Sequence, residues 1–533
     1  MQDITRQILE FLSRPEAYAH HPASVRCVQT HASWVFLASP YVYKVKKPVD
    51  FGFLNFTTLE RRYQNCLREL QLNRRLAEDV YLDVEAICRI DGRWVLTTEP
   101  QGEVFEWCVR MRELDPREFL RQRLLDSVVT PADVRRVAER LLAFYESQPP
   151  LPLEESRAAT ERLHTFAADN LRVATQFAGQ SITAHGLAAL AEYNRIFELT
   201  HATLLQSRSQ LGWIRDAHGD LHLDHVHLSG DAVRIYDCLE FNAELRHIDV
   251  ACDVAFLIMD LDFHGRHDLA EILKARLQES WRDPALTQLL CYYQCYRGCV
   301  RGKVESLHSV TETAADPERQ AAIALARRYF QLAVGYALSG TAPCVLVCCG
   351  RIATGKSALA EFLSQETGWP LYSSDRLRKT LANVELNYRG TAEERATLYG
   401  SAMTEQVYSE LSHQAVWHFR RGHSVILDAT YSDRQHRTSL RQSVTTAGGS
   451  LMWVEATADD AVVRARLRRR EHESHVISDA READFEMLTS KYNAPMEIPE
   501  SALLRISTDG EQQQTCTELL RTLVSRNARS GGP

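Results

Sequence analysis

The sequence predicts an α+β N-terminal part followed by an α/β C-terminal part built on a doubly wound parallel sheet, and three observations carry that reading. Residues 25–47 alternate apolar and polar like three short antiparallel strands, and one amphipathic helical stripe follows them. From about 131 to 338 the periodicity is mostly helical. From 344 onward strand and helix patterns alternate, the signature of βαβ units. A chain of 533 residues is too long for one core. The shifts in pattern divide it into 1–110, a helical stretch 111–340, and 341–533.

The strands within 25–47 are broken near His31-Ala-Ser33 and Ser39-Pro40, and in the third Val42, Lys44 and Lys46 share one face. Thr57 and Glu60 have capping-box spacing, and Leu59, Tyr63, Cys66, Leu67 and Leu70 form the stripe of a helix reaching Ala77. With Glu60 taken as a cap, Glu69 is the candidate functional acid of that helix. Two strands are predicted near 84–89 and 94–98 around Asp91-Gly92, with 103–112 as a connection. Pro131 opens a helix through Tyr145, the run from Gln148 to Pro152 ends it, and helices are predicted at 157–178 and 184–206. Loops and short strands follow at 213–228 and 233–241, then helices at 249–260 and around the cysteines, a polar loop at 307–318 and a helix at 321–338. Gly340 and Pro343 mark a boundary. Beyond it come strand 344–349, a helix from 356, strands 425–428 and 451–456, helix 459–470 and strand 503–507, with a frayed tail at 530–533.

Composition narrows the function classes. Hydrophobic content of 45% and charged content of 25% describe ordinary globular cores, and a net charge of -8 argues against broad polyanion binding. The first residues lack a signal-peptide core and nothing approaches a membrane span, so a cytoplasmic protein without a membrane partner is expected. Thirteen cysteines without a CxxC pair suggest neither a disulfide framework nor zinc; Cys291, Cys295 and Cys299 share a helix face and are expected in the core.

Gly350-Arg351-Ile352-Ala353-Thr354-Gly355-Lys356-Ser357 lies between a predicted buried strand and a helix. It reads as a Walker A loop for ATP: the backbone N–H groups cradle phosphates at a helix N-terminus, Lys356 reaches the β/γ-phosphates and Ser357 holds Mg²⁺. Asp375 follows the next strand and can accept the proton of an attacking hydroxyl, while Arg378, three residues on, can grip an acceptor's phosphate. A helix N-cap is the rival reading of Asp375. Asp428 ends the apolar strand Val425-Ile-Leu-Asp428 as a Walker B or substrate-site acid. Arg464, Arg466, Arg468, Arg469 and Arg470 share a helix that is either a solvated face or a lid over ATP.

In the N-terminal part, His218-Gly-Asp220-Leu-His-Leu-Asp-His225 precedes Ile235-Tyr-Asp237-Cys-Leu-Glu240. A strand lysine, a helical glutamate and two aspartates in that order are the parts phosphoryl transfer from Mg-ATP requires. At these residues the sequence resembles the aminoglycoside phosphotransferase and choline kinase branch of the protein-kinase-like fold, and more closely the phosphotransferase-like proteins reading Val-Tyr-Lys-Val-Lys-Lys-Pro-Val, here 42–49. The resemblance implies that Lys44 holds the α/β-phosphates, Glu69 pairs with it, Asp220 is the catalytic base and Asp237 a Mg²⁺ ligand. Two departures stand out. His225 occupies the position of the second metal ligand, usually Asn, and imidazole suits Mn²⁺ better than Mg²⁺; the loop His31-Ala-Ser33 carries no glycine.

Residues 344–508 resemble the P-loop kinases that include polynucleotide 5′-hydroxyl kinases, gluconate kinases and zeta-type toxins. Asp375 with Arg378 matches the polynucleotide kinase pattern, Asp428-Ala-Thr430 the group's third-strand motif, and Arg466 with Arg470, ahead of Ser478-Asp479-Ala480, its lid. The resemblance implies two kinase modules, the second transferring phosphate to a small-molecule hydroxyl. An ATP-binding regulatory protein without transfer is one alternative. A nucleic-acid 5′-hydroxyl kinase is another, disfavoured because few stacking aromatics flank the basic run.

Overall fold

The computed structural model describes residues 2–52, 54–311, 315–388, 390–472 and 477–530. The tail at 531–533 and part of the expected 307–318 loop fall outside them. The chain divides into two compact units that interleave along the sequence.

The first unit comprises Met1–Arg162, Gln206–Asp260 and Glu271–Asp283. Its antiparallel sheet contains β1 (Arg26–Gln29), β2 (Ser33–Ala38), β3 (Tyr41–Lys46), β4 (Tyr81–Ile90), β5 (Arg93–Thr97) and β6 (Glu103–Arg112), in the order β1-β2-β3-β6-β4-β5. Residues 103–112 are therefore a strand and not a connection. As a central strand β6 buries both Cys108 and Val109, which blurs the alternation that marks a half-exposed strand. The helix Leu59–Ala77 lies against β4 and β6. Its cap also corrects the sequence reading: Thr58, not Thr57, accepts from the backbone N–H of Arg61, and Glu60 accepts from Gln64. Thr57 instead donates to Asn55. Downstream, β7 (Ile214–Asp216), β8 (Val226–Ser229), β9 (Ala232–Ile235) and β10 (His247–Asp249) form two small ladders, β7 with β10 and β8 with β9. The helix Val250–Phe263 follows.

The second unit comprises Leu163–Leu205, Leu261–Ala270 and Pro284–Pro533. Its sheet is wholly parallel: β11 (Cys344–Cys349), β12 (Leu371–Ser373), β13 (Val425–Asp428), β14 (Ser450–Thr457) and β15 (Leu503–Ser507), in the order β12-β13-β11-β14-β15. Every residue of β11 is buried, as a strand covered on both faces must be. Val345, Val347, Val425 and Leu427 pack with Val407 and Leu411 of the helix Ser401–Phe419 and with Leu440 and Val444 of the helix Arg434–Thr446. The helix Lys356–Thr367 packs on β11, β12 and β13. The order reverses at β11, which lies between β13 and β14, the third and fourth strands of the sheet in chain order, and ligands of such sheets bind beyond the strands' carboxyl ends at that point.

Helices that precede residue 340 belong to this unit because the last helix, Gln512–Ser530, closes on them. Asn527 Nδ2 donates to the carbonyls of Tyr336 and Ala337, both at 3.0 Å, and His201 Nε2 bonds to Ala528 O at 2.9 Å. Cys291, Cys295 and Cys299 are buried in the helix Leu286–His308 as expected. Among the described residues no helix is long and apolar enough to cross a membrane.

Candidate functional site

Two sites emerge, one in each unit. In the first unit, strand β3 presents Lys44 and Lys46 on one face toward the helix that carries Glu69. Lys44 Nζ donates to Glu69 Oε1 at 2.8 Å and to Asp237 Oδ1 at 3.0 Å. Lys46 Nζ pairs with the other oxygen, Glu69 Oε2, at 2.5 Å and with Glu240 Oε1 at 2.6 Å. Glu69 is wholly buried, so each of its oxygens needs a cation. Burial pushes the Glu69 carboxyl up, but Lys44 and Lys46 outweigh it and hold the group below its ordinary value. Lys46 and Glu240 were legible as residue types but not as members of this cluster, because only the pairing across the fold joins them to Glu69.

Asp237 follows β9 with a positive φ of 60°, a conformation few non-glycine residues adopt. The backbone N–H of Cys238 donates to Asn73 Oδ1 at 2.8 Å, and that of Leu239 to His218 O at 3.2 Å, which fix the turn. Asp253 grips the neighbouring loop, accepting from the N–H groups of His218 at 3.0 Å and Gly219 at 2.9 Å. Asp260 accepts from Leu223 N at 3.0 Å. Both carboxylates sit in the apolar helix Val250–Phe263, and a buried acid in such a run was the signal available to the sequence.

Asp220, His222 and His225 converge, each offering one ligand atom within 4.8 Å of the others. His225 Nδ1 lies 2.8 Å from Asp220 O, so it must carry the hydrogen, leaving the Nε2 lone pair 3.6 Å from Asp237 Oδ2. Burial raises the Asp220 carboxyl, and His222, then His225, overcome this and hold it far below the usual carboxylate range. Desolvation likewise raises Asp237, and Lys44 with His225 hold it well below. Two carboxylates beside two imidazoles make a donor set fit for a divalent ion, with the imidazoles favouring Mn²⁺ over Mg²⁺.

His225 supplies a pH test. Burial and the neighbouring His222 push it from 6.5 to about 4, so it is neutral in the folded protein at pH 7. Between those values the unfolded chain binds a proton that the folded one refuses; this contribution to stability is full above pH 6.5 and is lost as pH falls toward 4. The melting temperature of His225→Asn is expected to fall less across that window than that of the wild type. Parallel slopes in a pH series followed by circular dichroism would refute the assignment.

In the second unit, residues 350–357 turn from β11 into the helix Lys356–Thr367. Gly350 has φ 139°, and a Cβ there would meet Ala456 O at 2.4 Å; Gly355 has φ 93°. The loop is braced from outside. Thr354 Oγ1 donates to Arg351 O at 2.9 Å, Thr508 Oγ1 to Thr354 O at 2.5 Å, and Arg466 Nη1 to Thr508 Oγ1 at 2.9 Å. Arg351 itself is tied to Asp460 and Ala458 O, each at 2.8 Å, and Ile352 packs with Ala353, Val463 and Leu467. The contributions of 351–354 to a bound phosphate are thus left to their backbone N–H groups.

Asp428 ends β13 beside this loop, 3% exposed, and its Oδ1 has no hydrogen-bond partner among the described residues. Burial raises its carboxyl above the ordinary value; Lys356 and the Ser357 hydroxyl oppose the shift and Asp375 adds to it. Those four residues therefore share one electrostatic neighbourhood. An orphaned, buried acceptor beside a serine hydroxyl and a second carboxylate fits a divalent cation. Ser373 is the N-cap of the helix Ser374–Leu381, so Asp375 is not occupied as the cap. Arg378 donates through Nη1 to Leu398 O at 3.0 Å and Thr404 Oγ1 at 3.3 Å and lies 4.6 Å over the Tyr399 ring, while its buried Nε has no hydrogen-bond partner among the described residues. Arg470 borders a narrow cleft with 478–481, while Arg464 pairs with Glu486 and Arg468 with Glu482. The arginine run is therefore divided: Arg466 bonds Thr508 beside the loop, while Arg464 and Arg468 pair with glutamates. Lys379, buried completely, pairs with Asp479 at 3.2 Å, and Tyr399 donates to the same carboxylate at 3.0 Å; the sequence reading missed this tie.

A family model described as an AAA domain matches residues 345–495. Over 450 residues the chain is 30% identical to the uncharacterized protein Rv2004c of Mycobacterium tuberculosis, covering 83% of this chain and 85% of that one. The chain belongs to the Rv2004c family. Among solved structures, a gluconokinase from Sinorhizobium meliloti 1021 aligns with 36% of the chain and 95% of its own length, at 15% identity and a TM-score of 0.26. A choline kinase from Cryptosporidium parvum Iowa II aligns with 63% of the chain and 95% of its own length, at 9% identity and a TM-score of 0.40. In this member of the Rv2004c family the fold joins a six-stranded antiparallel sheet with a Lys–Glu pair to a P-loop sheet of order β12-β13-β11-β14-β15.

Proposed function

We propose that this chain is an ATP-dependent phosphotransferase whose C-terminal site transfers the γ-phosphoryl group to a hydroxyl of a small molecule. The observation that carries the reading is the buried, unpartnered Asp428 Oδ1 in one electrostatic neighbourhood with Lys356, Ser357 and Asp375. Mg-ATP, when bound, supplies an activated γ-phosphoryl group. The 350–357 backbone and Lys356 would hold its phosphates, and Ser357 with Asp428 its metal. Asp375, on the carboxyl side of β12, takes the proton from the attacking hydroxyl. Arg378 is bonded through Nη1 to Leu398 O and Thr404 Oγ1 but keeps a buried Nε unpartnered among the described residues, so a nucleic-acid 5′-hydroxyl acceptor stands as the alternative reading.

The test is ATP consumption by the full chain against sugars, polyols, amino alcohols and 5′-hydroxyl oligonucleotides. Stimulation by a small hydroxyl compound is expected; tight ATP binding with no acceptor-dependent consumption would leave a nucleotide-binding regulator instead. The N-terminal site is read as a second metal-nucleotide site, with Lys44 on the phosphates and Asp237 and His225 on the metal. Metal-ATP should then raise the melting temperature of the Lys356→Ala protein, by about 2.7 kcal/mol of stability at a hundredfold excess over Kd. Mn²⁺ should do better than Mg²⁺, and Asp237→Ala should abolish the metal-dependent part. No shift with either metal would mean that this site no longer binds nucleotide.

A further inference from the structure

A cavity of about 380 Å³ opens in the second unit, within the size range of small-molecule sites. Pro343, Pro370 and Ser424 line it, and these residues immediately precede β11, β12 and β13. The 350–357 loop, Asp375 and Asp428 lie at or beyond the carboxyl ends of those strands. Six residues of β11 separate the two ends, about 20 Å at the rise of a strand. The cavity is therefore distinct from the nucleotide site.

Its chemistry is one-sided. Arg328 and His423 stand exposed at its rim, and His267 and His418 contribute two more imidazoles to the lining. Asp262 is the one carboxylate among its lining residues, and it is already engaged by Tyr336 at 2.6 Å, Gln294 at 3.0 Å and His267 at 3.0 Å. Leu332, Pro343, Trp369 and Pro370 supply the apolar part of the lining. Arg328 lies 4.4 Å over the Phe263 ring and donates to Phe263 O at 3.4 Å, and Tyr329 stacks on the same ring at 3.8 Å. Two glycines keep the space open and its walls fixed. A Cβ on Gly335 would sit 3.3 Å from Trp369 Nε1, and one on Gly422 would lie 2.4 Å from His267 Cβ, so the turn at 422 and the start of the helix His267–Trp281 are in close packing.

The geometry points to a second ligand site here, for a small organic anion that sets a carboxylate or phosphate against Arg328 and His423 and a flat apolar body against Trp369. The Arg328 charge at the rim, an acid already bonded by Tyr336, Gln294 and His267, and the half-buried Trp369 ring favour that class over a cation. The 350–357 loop lies at the other end of the strands, so the occupant is a second ligand that does not share the nucleotide site. This inference stands apart from the kinase reading.

The probes are phenyl phosphate, benzoate and benzyl alcohol, titrated calorimetrically into the full chain with saturating Mg-AMPPNP to keep anions out of the nucleotide sites. At least one of the two anions is expected to bind with Kd near or below about 1 mM, while benzyl alcohol does not bind. The tighter anion identifies the head group. Arg328→Gln, an exposed change, should weaken binding about tenfold or more through loss of a charge-assisted bond, and Gly335→Leu should abolish it by filling the cavity. An unchanged melting temperature for Arg328→Gln keeps its result interpretable even where Gly335→Leu fails to fold. Equal binding of benzyl alcohol, no binding of either anion up to about 10 mM, or wild-type affinity in Arg328→Gln would overturn the inference.

Discussion

Replacing Lys356 by alanine is expected to lower acceptor-dependent ATP turnover at the C-terminal site by about 10³-fold or more, the scale on which a lost charge on a transferring phosphoryl group is felt. The loop around it is bent by glycines at φ 139° and 93° and braced by Thr508 and Arg466, so its backbone should survive the change. What is lost is the cation that does most to hold the buried Asp428 carboxyl down. With Lys356 gone, the Asp428 carboxyl should rise further and ionise less readily, weakening the metal site as well. The measurement is best made in an Asp237→Ala background, so that nucleotide held by the N-terminal site does not mask the effect. Turnover within tenfold of the parent would remove Lys356 from the reaction.

Asp375→Asn should reduce turnover by about 10² to 10⁴ while leaving ATP affinity nearly unchanged, as for a lost general base. Asparagine keeps the size of the side chain, and Ser373, not Asp375, holds the N-cap position, so the change removes only a first-turn charge from the helix start. The substitution also removes a negative neighbour of Asp428, which should ease ionisation there and, if anything, favour metal binding. A fall in kcat with Kd for ATP retained would separate base from binder. An unchanged kcat would leave Asp375 as a residue of the first helical turn with no part in the chemistry.

Two of the helix-end readings show how far spacing can be trusted. The Thr57/Glu60 pair has the right interval for a capping box, yet the helix takes Thr58 as its cap, because Thr57 is drawn to Asn55 and the chain enters the helix one residue later. Asp375 has the look of a cap and is not one. Strand β6 was hidden for a different reason. A half-exposed strand advertises itself by alternation, whereas a central one buries both faces and shows its nature only through its neighbours, here β3 and β4.

By itself the sequence determined the C-terminal sheet strands 344–349, 425–428 and 503–507, the loop between the first of them and its helix, and the identity of the groups worth pairing, since strand periodicity, glycine placement and residue chemistry are local properties. It also marked Lys44 and Glu69 as a candidate pair across 25 residues, through resemblance to a known order of parts. Tertiary structure alone decided the remainder. It set Lys46 on the second oxygen of Glu69 and paired the same lysine with Glu240, across a separation of 194 residues. It also bonded Arg378 to the Leu398 carbonyl, drew the helices Ala184–Thr200 and Asp316–Ser339 against the helix Gln512–Ser530, and opened a cavity with Arg328 at its rim at the amino ends of the parallel strands. The reason is the same in each case: a buried charge or amide must be matched wherever the fold brings a partner, and the sequence separation of those partners carries no periodic signal.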